Sequence, residues 1–343
     1  MLQGMEKKSG IILSDSPTNK VNYYSVNNLN KVTHNHPMAS LAKTKDIEEI
    51  KSFVGDNEFI AMLKMDGLTC SITYQDGQIV RAETRGNGEI GEDITHNIKT
   101  VKGIPVSIPV EGEFIVDGEV ICTYEDFQQF SNEFANPRNF AAGSIRLLDN
   151  KECATRHLTF IAWDCIKGLD DIPTLGGKLT KLDEYGFRFC PFLIDKIENK
   201  NFDDRFYCIT KFLTAWANEF SYPYDGLVFK YNNCDYYSSL GMTAHHPRAA
   251  LAYKFYDEEY ETYLRDINWQ LGKTGQITPV AIFDEVDTGN STISRASLHN
   301  LNIMRQIFGE NPYKGQPIWV CKQNEIIPQV IRADHKNEGT LFY

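Results

Sequence analysis

Short apolar runs that end at polar turns recur along the chain, and this pattern predicts buried β-strands. A hairpin is expected where Asp76-Gly77 separates two of these runs, since Asp-Gly favours a tight turn between antiparallel strands. The predicted strands cover residues 59–63, 68–74, 78–84, 114–122, 158–165, 224–230 and 251–255.

Apolar residues at helical spacing predict three helices between the strands. The predicted helices are 46–54, capped by Thr44 and ended by Gly55; 124–134, capped by Thr123 with Asp126 placed as in a capping box; and 202–220. The buried face of the third helix is expected to consist of Phe206, Ile209, Phe212, Leu213 and Trp216. Strands and helices together indicate an α+β fold.

The pattern changes at about residue 260, where short β-type runs alternate with turns. The runs are 277–283, 291–294, 316–320 and 326–331, with a short helix at 297–308. About 80 residues of this kind suit a small β-barrel such as an OB-fold. We therefore expect a polar lead over residues 1–32, mobile or wrapped on the surface, a mixed domain over 33–258 and a barrel over 259–343.

Composition narrows the functional classes. The 343 residues are 42% hydrophobic and 24% charged, as in ordinary globular proteins, and neither a membrane span nor a signal peptide is expected. Eight cysteines are scattered singly without a Cys-x-x-Cys pair, so a reducing, cytoplasmic setting is expected. The net charge of −11 argues against gripping nucleic acid by bulk electrostatics, although a local basic groove remains open.

The segment Lys64-Met65-Asp66-Gly67 carries the first candidate chemistry. A lysine at the mouth of a buried strand is partly desolvated, which favours its neutral, nucleophilic amine. Asp66 could orient that amine or take its proton, and Gly67 could let the chain pass close to a ligand. The motif alone also fits a solvated turn lysine.

Other lysines, arginines and glycines could bind the same ligand as Lys64. Lys230 and Lys254 also end apolar runs, which suggests that three lysines converge on one anion, whereas a single such lysine is usually a snorkelling surface residue. Arg138 and Arg146 suit phosphates but equally fit exposed salt bridges. The glycines that follow Arg85 indicate either backbone held close to a ligand or a flexible hairpin end.

Two histidine pairs were considered as metal ligands. The pairs are His34 with His36, and His245 with His246. No cysteine lies near either pair in sequence, and Pro37 favours a fixed loop at the first. We therefore predict no residue that ligates a metal directly.

Many segments, in this order, resemble NAD-dependent DNA ligases of the bacterial type. They are residues 36–41, 64–67, 84–93, 117–120, 134–146, 225–230, 247–255, 272–280, 294–300 and 327–330. The resemblance runs from about residue 15 to the C-terminus. It implies that 33–258 form a nucleotidyltransferase (adenylation) domain of antiparallel sheets with flanking helices, followed by an OB-fold over 259–343.

The resemblance also implies a reaction. Lys64 would attack the α-phosphorus of NAD⁺, release nicotinamide mononucleotide and carry AMP as a phosphoramidate. AMP would pass to the 5′-phosphate of a nick in duplex DNA, and the 3′-hydroxyl would then displace it, in replication or repair. Because every step moves phosphoryl charge, Mg²⁺ is expected as a second cofactor.

Roles for individual residues follow from the resemblance alone. Lys64, Asp66, Glu119, Lys230 and Lys254 would be catalytic, with Glu119 holding the ribose hydroxyl and the other two lysines contacting the α-phosphate. The nucleotide would also meet Ser40, Leu41, Met62 and Arg85, with Met62 standing where the family usually has a glutamate. DNA would meet Arg85, Arg138, Arg146, Lys273 and Thr274.

The family's Tyr- and Asp-rich N-terminal domain, its zinc finger, its helix-hairpin-helix region and its BRCT region are not found in this sequence. One hypothesis is a minimal or two-subunit enzyme, bacterial or viral, whose partner supplies nicotinamide mononucleotide recognition and DNA clamping; a truncated chain is the alternative. Two other functions stay open. The chain could be another covalent nucleotidyltransferase, of ATP-dependent ligase or capping type, or a non-catalytic nucleic-acid-binding subunit.

Overall fold

A computed structural model of the chain describes residues 2–19, 23–134, 136–196, 201–255, 259–271, 277–288, 292–323 and 327–334. The chain divides into two compact units, Met1–Phe255 and Tyr256–Tyr343. Among the described residues, no helix combines the length and apolar character needed to cross a membrane. Mixed helices and largely antiparallel sheets confirm the predicted α+β class.

The first unit contains nine helices within the described residues. They are α1 (Leu2–Ser9), α2 (Ile47–Val54), α3 (Thr95–Ile98), α4 (Tyr124–Phe127), α5 (Pro137–Ser144), α6 (Asn150–Ala154), α7 (Leu175–Glu184), α8 (Phe202–Glu219) and α9 (Cys234–Leu240).

The larger sheet of this unit is antiparallel throughout. Its strands, from edge to edge, are β1 (Ile12–Leu13), β8 (Pro105–Ser107), β6 (Gln78–Thr84), β5 (Leu68–Gln75), β9 (Glu113–Ile121) and β10 (Thr159–Lys167). The predicted hairpin joins β5 and β6, and Asp76 and Gly77 both adopt positive φ in its turn. A separate ribbon pairs β2 (Lys31–Thr33) with β7 (Ile90–Glu92).

The second sheet of the unit carries most of the lysines of interest. Its order is β11 (Phe192–Asp195), β4 (Phe59–Met65), β12 (Tyr224–Tyr231), β13 (Ala250–Lys254) and β3 (Ala42–Thr44), with only the last pair parallel. Both sheets contribute to one continuous hydrophobic core, in which Ile72 and Phe114 of the first sheet and Phe59 and Phe229 of the second are almost fully buried.

The helices differ from the predictions in detail. Helix α2 is capped by Asp46, whose side chain accepts a hydrogen bond from the Glu48 amide, and not by Thr44. Helix α4 keeps the predicted cap, because Thr123 accepts from the Asp126 amide, but it is followed at once by a 3₁₀ turn. Helix α5 lies in the segment of Arg138 and Arg146, for which no helix was predicted.

The predicted buried face of α8 is wrong at one position. Phe212 is 53% exposed, whereas Leu213 is fully buried. The buried stripe passes through Phe206, Ile209, Leu213 and Ala217, and successive residues of a helix are rotated by about 100°. Phe212 therefore projects to the side of this stripe.

The N-terminal segment, expected to be a mobile or surface-wrapping lead, contains α1 and β1. Strand β1 pairs with β8, placing Ile12 opposite Ser107, so this segment adds an edge strand to the larger sheet. The Ser14 hydroxyl also donates to the Val101 carbonyl.

The second unit is built on a five-stranded antiparallel sheet. Its order is β16 (Thr292–Ser297), β15 (Ile277–Asp287), β14 (Tyr260–Leu271), β17 (Pro317–Gln323) and β18 (Ile327–Ala333). Strands β16 and β18 also contact each other, so the sheet curls towards a barrel around its own core, which includes Leu264, Phe283 and Ile318. Helix α10 (Leu301–Phe308) begins after the cap Asn300, later than predicted.

Candidate active site

The register of the second sheet places two of the predicted lysines in one row. Gly226 of β12 lies opposite Lys64 of β4 on one side and opposite Lys254 of β13 on the other. The two lysine Cα atoms are therefore about 10 Å apart, within reach of one shared anion for side chains of this length. A Cβ atom at Gly226 would lie 2.0 Å from the Tyr253 carbonyl oxygen, so only glycine fits between them.

Asp225 supplies the anion that the two lysines share. Both of its carboxylate oxygens lie 2.8 Å from Lys64 Nζ, and Oδ2 lies 3.7 Å from Lys254 Nζ. All three side chains are mostly buried. The register of β12 against β4 shifts between Tyr224 and Gly226, and a bulge of this kind turns the side chain of its extra residue. Asp225 is therefore a candidate site residue that the sequence analysis did not assign.

The third lysine occupies a separate position. Lys230 lies four residues from Gly226 along β12, which is about 13 Å of strand. Its Nζ is 3.1 Å from Asp164 Oδ2 and 4.5 Å from the centre of the Trp163 ring. Burial lowers the pKa of Lys230, but the charge and hydrogen bond of Asp164, together with Tyr237 and Asp117, outweigh it, so the net pKa is raised. In this structure Lys230 thus pairs with a different carboxylate from Lys64 and Lys254, and the convergence of all three lysines on one ligand anion stays a prediction.

Asp66 does not contact the amine that it was expected to orient. Its Oδ1 accepts a hydrogen bond from Arg138 Nη1 at 3.0 Å, whereas Asp225 is the carboxylate in contact with Lys64. Burial raises the pKa of Asp66, and the charge of Arg138 opposes this rise.

Gly67 is required by strand packing. A Cβ atom there would lie 2.3 Å from the Val120 carbonyl oxygen of β9, so what passes close to this glycine is protein backbone. The expected ligand contact is not needed to explain its presence.

Glu119 lies on β9, opposite Thr69 of β5, and its Oε2 accepts a hydrogen bond from the Thr69 hydroxyl at 3.1 Å. Burial raises the pKa of Glu119 to about 7, although the charges of Arg138, Lys64 and Arg85 act to lower it. At neutral pH this carboxyl group is therefore divided between its charged and neutral forms.

Arg85 follows the end of β6. Its amide donates to the Thr69 carbonyl at 3.0 Å, and its charge acts on Glu119. Its guanidinium makes no hydrogen bond or ion pair within the described ranges.

The glycines that follow Arg85 form a tight turn. Gly86 has a φ of 53°, and a Cβ there would lie 2.0 Å from the Ile90 carbonyl oxygen. The Asn87 side chain accepts hydrogen bonds from the amides of Glu89 and Ile90. The hairpin-end interpretation therefore accounts for these glycines without a ligand.

The segment between β2 and β3 is held at several points. Ser40 Oγ lies 3.1 Å from His246 Nδ1, and the Ser40 carbonyl oxygen lies 2.9 Å from the same nitrogen. Leu41 packs against the core. Met62, two residues before Lys64 on β4, is only 1% exposed and belongs to that core.

The predicted histidine loop is held by carboxylates. His34 Nδ1 lies 2.9 Å from Glu83 Oε1, and His36 Nε2 lies 2.9 Å from Asp117 Oδ2. In the part of the chain that the structure describes, no group of three His, Cys, Asp or Glu side chains is arranged to hold a metal.

Both predicted phosphate-binding arginines are ion-paired. Arg138 contacts Asp66, and Arg146 Nε lies 2.7 Å from Glu92 Oε2. In this structure both arginines therefore form salt bridges, which was one of the two alternatives predicted from the sequence. Lys273 and Thr274 lie outside the described residues.

The site is defined by these side-chain contacts. A cavity of about 390 Å³ lies elsewhere in the first unit, lined by residues that include Asn28, Asp93 and His96 and by none of the predicted site residues.

Comparison with known proteins adds independent information. Residues 26–258 match the family profile described as NAD-dependent DNA ligase adenylation domain, and residues 261–340 match that of the NAD-dependent DNA ligase OB-fold domain. The sequence is 39% identical over 338 residues to a DNA ligase of Lachnoclostridium phytofermentans, covering 96% of this chain and 50% of that protein. It is 39% identical over 337 residues to a DNA ligase of Ruminiclostridium cellulolyticum, covering 95% and 50%. The chain spans about half the length of these curated relatives.

Among solved structures, a mycobacterial DNA ligase D complexed with ATP and MES aligns with a TM-score of 0.37 at 12% identity, covering 83% of this chain and 89% of that one. A likeness at this level carries no argument about fold or activity.

Proposed function

The chain belongs to the NAD-dependent DNA ligase family, and we propose that Lys64 is the residue that takes AMP from NAD⁺ as the first step in sealing nicks in duplex DNA. One observation carries the proposal. In a domain that matches the family's adenylation domain, Lys64 lies beside a second lysine and is held by a carboxylate at 2.8 Å.

The contacts of Lys64 suggest how its amine is activated. The amine must lose a proton before it can form a bond to phosphorus, and Asp225 is the carboxylate in contact with it. We assign to Asp225 the role of receiving that proton, which the sequence analysis had given to Asp66. NAD⁺ supplies the α-phosphorus and the leaving group: the new N–P bond forms as the bond to the nicotinamide mononucleotide oxygen breaks.

The remaining groups would stabilise charge and hold the nucleotide. Lys254, next to Asp225, would face the α-phosphate, and Lys230 would join it by leaving Asp164. Glu119 would bind the ribose hydroxyl, because a carboxyl group with a pKa of about 7 can either donate or accept. Asp66 would act by positioning Arg138.

The other predicted residues keep their proposed roles. Ser40, Leu41 and Met62 would border the adenine, with Met62 forming the floor from within the core. Phosphates of the nucleotide or the DNA would be met by Arg85, Arg138, Arg146, Lys273 and Thr274.

The donor set fits the expected divalent ion. Glu119 and Asp225 are oxygen donors near Lys64, and Mg²⁺ typically binds through one or two carboxylates together with waters and substrate phosphates. Mg²⁺ would offset the negative charge of the phosphates at this place. A site completed by substrate is compatible with the lack of a closed three-residue cluster among the described side chains.

DNA and a further protein part are the proposed partners. The net charge of −11 is unfavourable for holding duplex DNA, so we propose that a second subunit or an additional segment supplies the DNA clamp and the nicotinamide mononucleotide contacts. No disulfide bond joins the described cysteines, which supports a reducing setting such as the cytoplasm of a bacterium or of an infected host cell.

Label transfer tests the proposed function. The purified chain would be incubated with Mg²⁺ and NAD⁺, ATP or GTP labelled in the α-phosphate, with and without a candidate partner, and protein-bound label would be measured. We expect label from NAD⁺ only. Lys64→Ala should abolish it, whereas Lys211→Ala, which removes an exposed lysine on α8, should not.

Three outcomes would contradict the proposal. Label from ATP or GTP in place of NAD⁺ would favour another covalent nucleotidyltransferase. Label on Lys64→Ala would exclude Lys64 as the acceptor. Nick binding without any label, with or without the partner, would indicate a non-catalytic subunit.

A further inference from the structure

Two carboxylates face each other across neighbouring strands of the larger sheet. Asp117 on β9 lies directly opposite Asp164 on β10. The register shifts between Ala162 and Asp164, leaving Trp163 as the extra residue, and this bulge is what places Asp164 opposite Asp117. Asp117 is almost fully buried. Like charges directly opposite each other destabilise a sheet, so this pair needs counter-ions.

Each carboxylate has its own basic partner, and the two partners come from different parts of the unit. His36 Nε2 lies 2.9 Å from Asp117 Oδ2 and belongs to the segment between β2 and β3. Lys230 Nζ lies 3.1 Å from Asp164 Oδ2 and belongs to the second sheet. The four side chains, which we call the charge row, thus connect the segment that carries Ser40 with the strand that carries Lys230.

Charges act across the whole row. Burial lowers the pKa of His36, but the hydrogen bond and charge of Asp117, together with Glu83 and Asp164, outweigh it and raise the net value. Asp117 likewise adds to the effect of Asp164 on Lys230. Each cation therefore responds to both facing carboxylates, and a change at His36 reaches Lys230 through charge.

We propose that His36 is a positioning residue that neutralises Asp117, so that Lys230 balances Asp164 alone and remains able to move to a nucleotide phosphate. Without His36, two facing carboxylates would share the single ammonium of Lys230 and hold it more firmly. The nucleotide would then bind more weakly, although His36 itself touches no nucleotide atom. This inference rests on the proposed function, because it assigns Lys230 to a nucleotide phosphate.

Binding of AMP to the whole chain, measured by calorimetry, tests the inference without requiring transfer to Lys64. His36→Ala should weaken binding about tenfold, which corresponds to about 1.4 kcal/mol. His36→Gln should weaken it similarly, since the amide can donate a hydrogen bond to Asp117 but carries no charge. His245→Ala, which removes an exposed histidine outside the row, is the matched control.

A second substitution tests whether His36 acts through its charge or only by supporting the local structure. Adding Asp164→Asn to His36→Ala removes one of the facing carboxylates, so AMP binding should return to within about threefold of the original affinity. A structural defect at His36 would not be repaired by this change on another strand. His36→Gln and the double variant keep the test decisive if His36→Ala does not fold.

The outcomes are distinguishable from those of the proposed function. Full affinity in His36→Gln, or no recovery in the double variant, would overturn the role of His36. No AMP binding by the unaltered chain would overturn both proposals. Binding of AMP without formation of lysyl-AMP from NAD⁺ would count against the proposed function alone, and the variants would still test the charge row through binding.

Discussion

Replacing Glu119 with glutamine should change how the stability of the first unit depends on pH. Glu119 is partly enclosed by protein, and burial raises its pKa to about 7 from an ordinary value of 4.5. Below pH 4.5 this carboxyl is protonated whether the chain is folded or unfolded. As the pH rises from 4.5, the carboxyl ionises first in the unfolded chain and only near pH 7 in the folded one. The stability that is present in acid is therefore lost as the pH rises to about 7.

The size of the effect follows from the two pKa values. The interval between 4.5 and about 7 corresponds to about 3 kcal/mol of stability. This stability is lost between those two pH values, and the contribution of Glu119 does not change further at higher pH. Glutamine has nearly the same shape and does not ionise. The free energy of unfolding of Glu119→Gln, relative to the original chain, should therefore rise by about 3 kcal/mol between pH 4.5 and pH 8.

Urea unfolding followed by tryptophan fluorescence, at half-unit pH intervals, measures this difference. Comparing variant with original chain at each pH cancels other titrating groups, including His36. Glu113→Gln is the control, because it removes an exposed carboxylate from the same strand, β9. Parallel stability profiles for Glu119→Gln and the original chain would refute the argument that burial keeps Glu119 partly protonated.

Three further changes test other parts of the structure. Asp225→Asn should slow single-turnover AMP transfer about 100-fold, the scale of a lost proton acceptor; an unchanged rate in folded protein would exclude that role. Gly67→Ala should destabilise the chain by about 2 kcal/mol in urea, because its Cβ would lie 2.3 Å from the Val120 carbonyl oxygen; full stability would mean that β9 can move. Leu213→Ala should cost about 3 kcal/mol and Phe212→Ala less than about 1 kcal/mol in the same assay, and equal losses would contradict the observed face of α8.

Apolar runs predicted much of the first unit because strands such as β4 and β12 are buried on both faces. Residues 59–63 form the first part of β4, and 224–230 form most of β12, since continuous apolar runs bounded by turns have few alternatives. Strand β14 was missed because charged and polar residues dominate its second half, residues 265–271, which is exposed except at Ile267. Phe212 was misassigned because hydrophobicity alone does not distinguish a buried ring from an exposed one.

The candidate site was predictable as a set of lysines but not as a set of partners. Asp66 was the obvious carboxylate for Lys64 because it is two residues away, yet β4 ends at Met65 and the Asp66 amide bonds to the Pro223 carbonyl. Asp225 was overlooked because strand alternation would turn it away from the face of its neighbour Gly226. The bulge at this position turns Asp225 towards Lys64, and no local sequence signal predicts a bulge there.

Each of the three buried lysines is paired with a carboxylate, and these pairs must open before the lysines can bind a phosphate. An unpaired charge is costly to bury, so without a nucleotide Lys64 and Lys254 rest on Asp225, and Lys230 rests on Asp164. A nucleotide phosphate that attracts these ammonium groups leaves the carboxylates without partners. On the proposed function, the Asp225 carboxylate released in this way would, together with Glu119, supply oxygen donors of the kind that Mg²⁺ prefers.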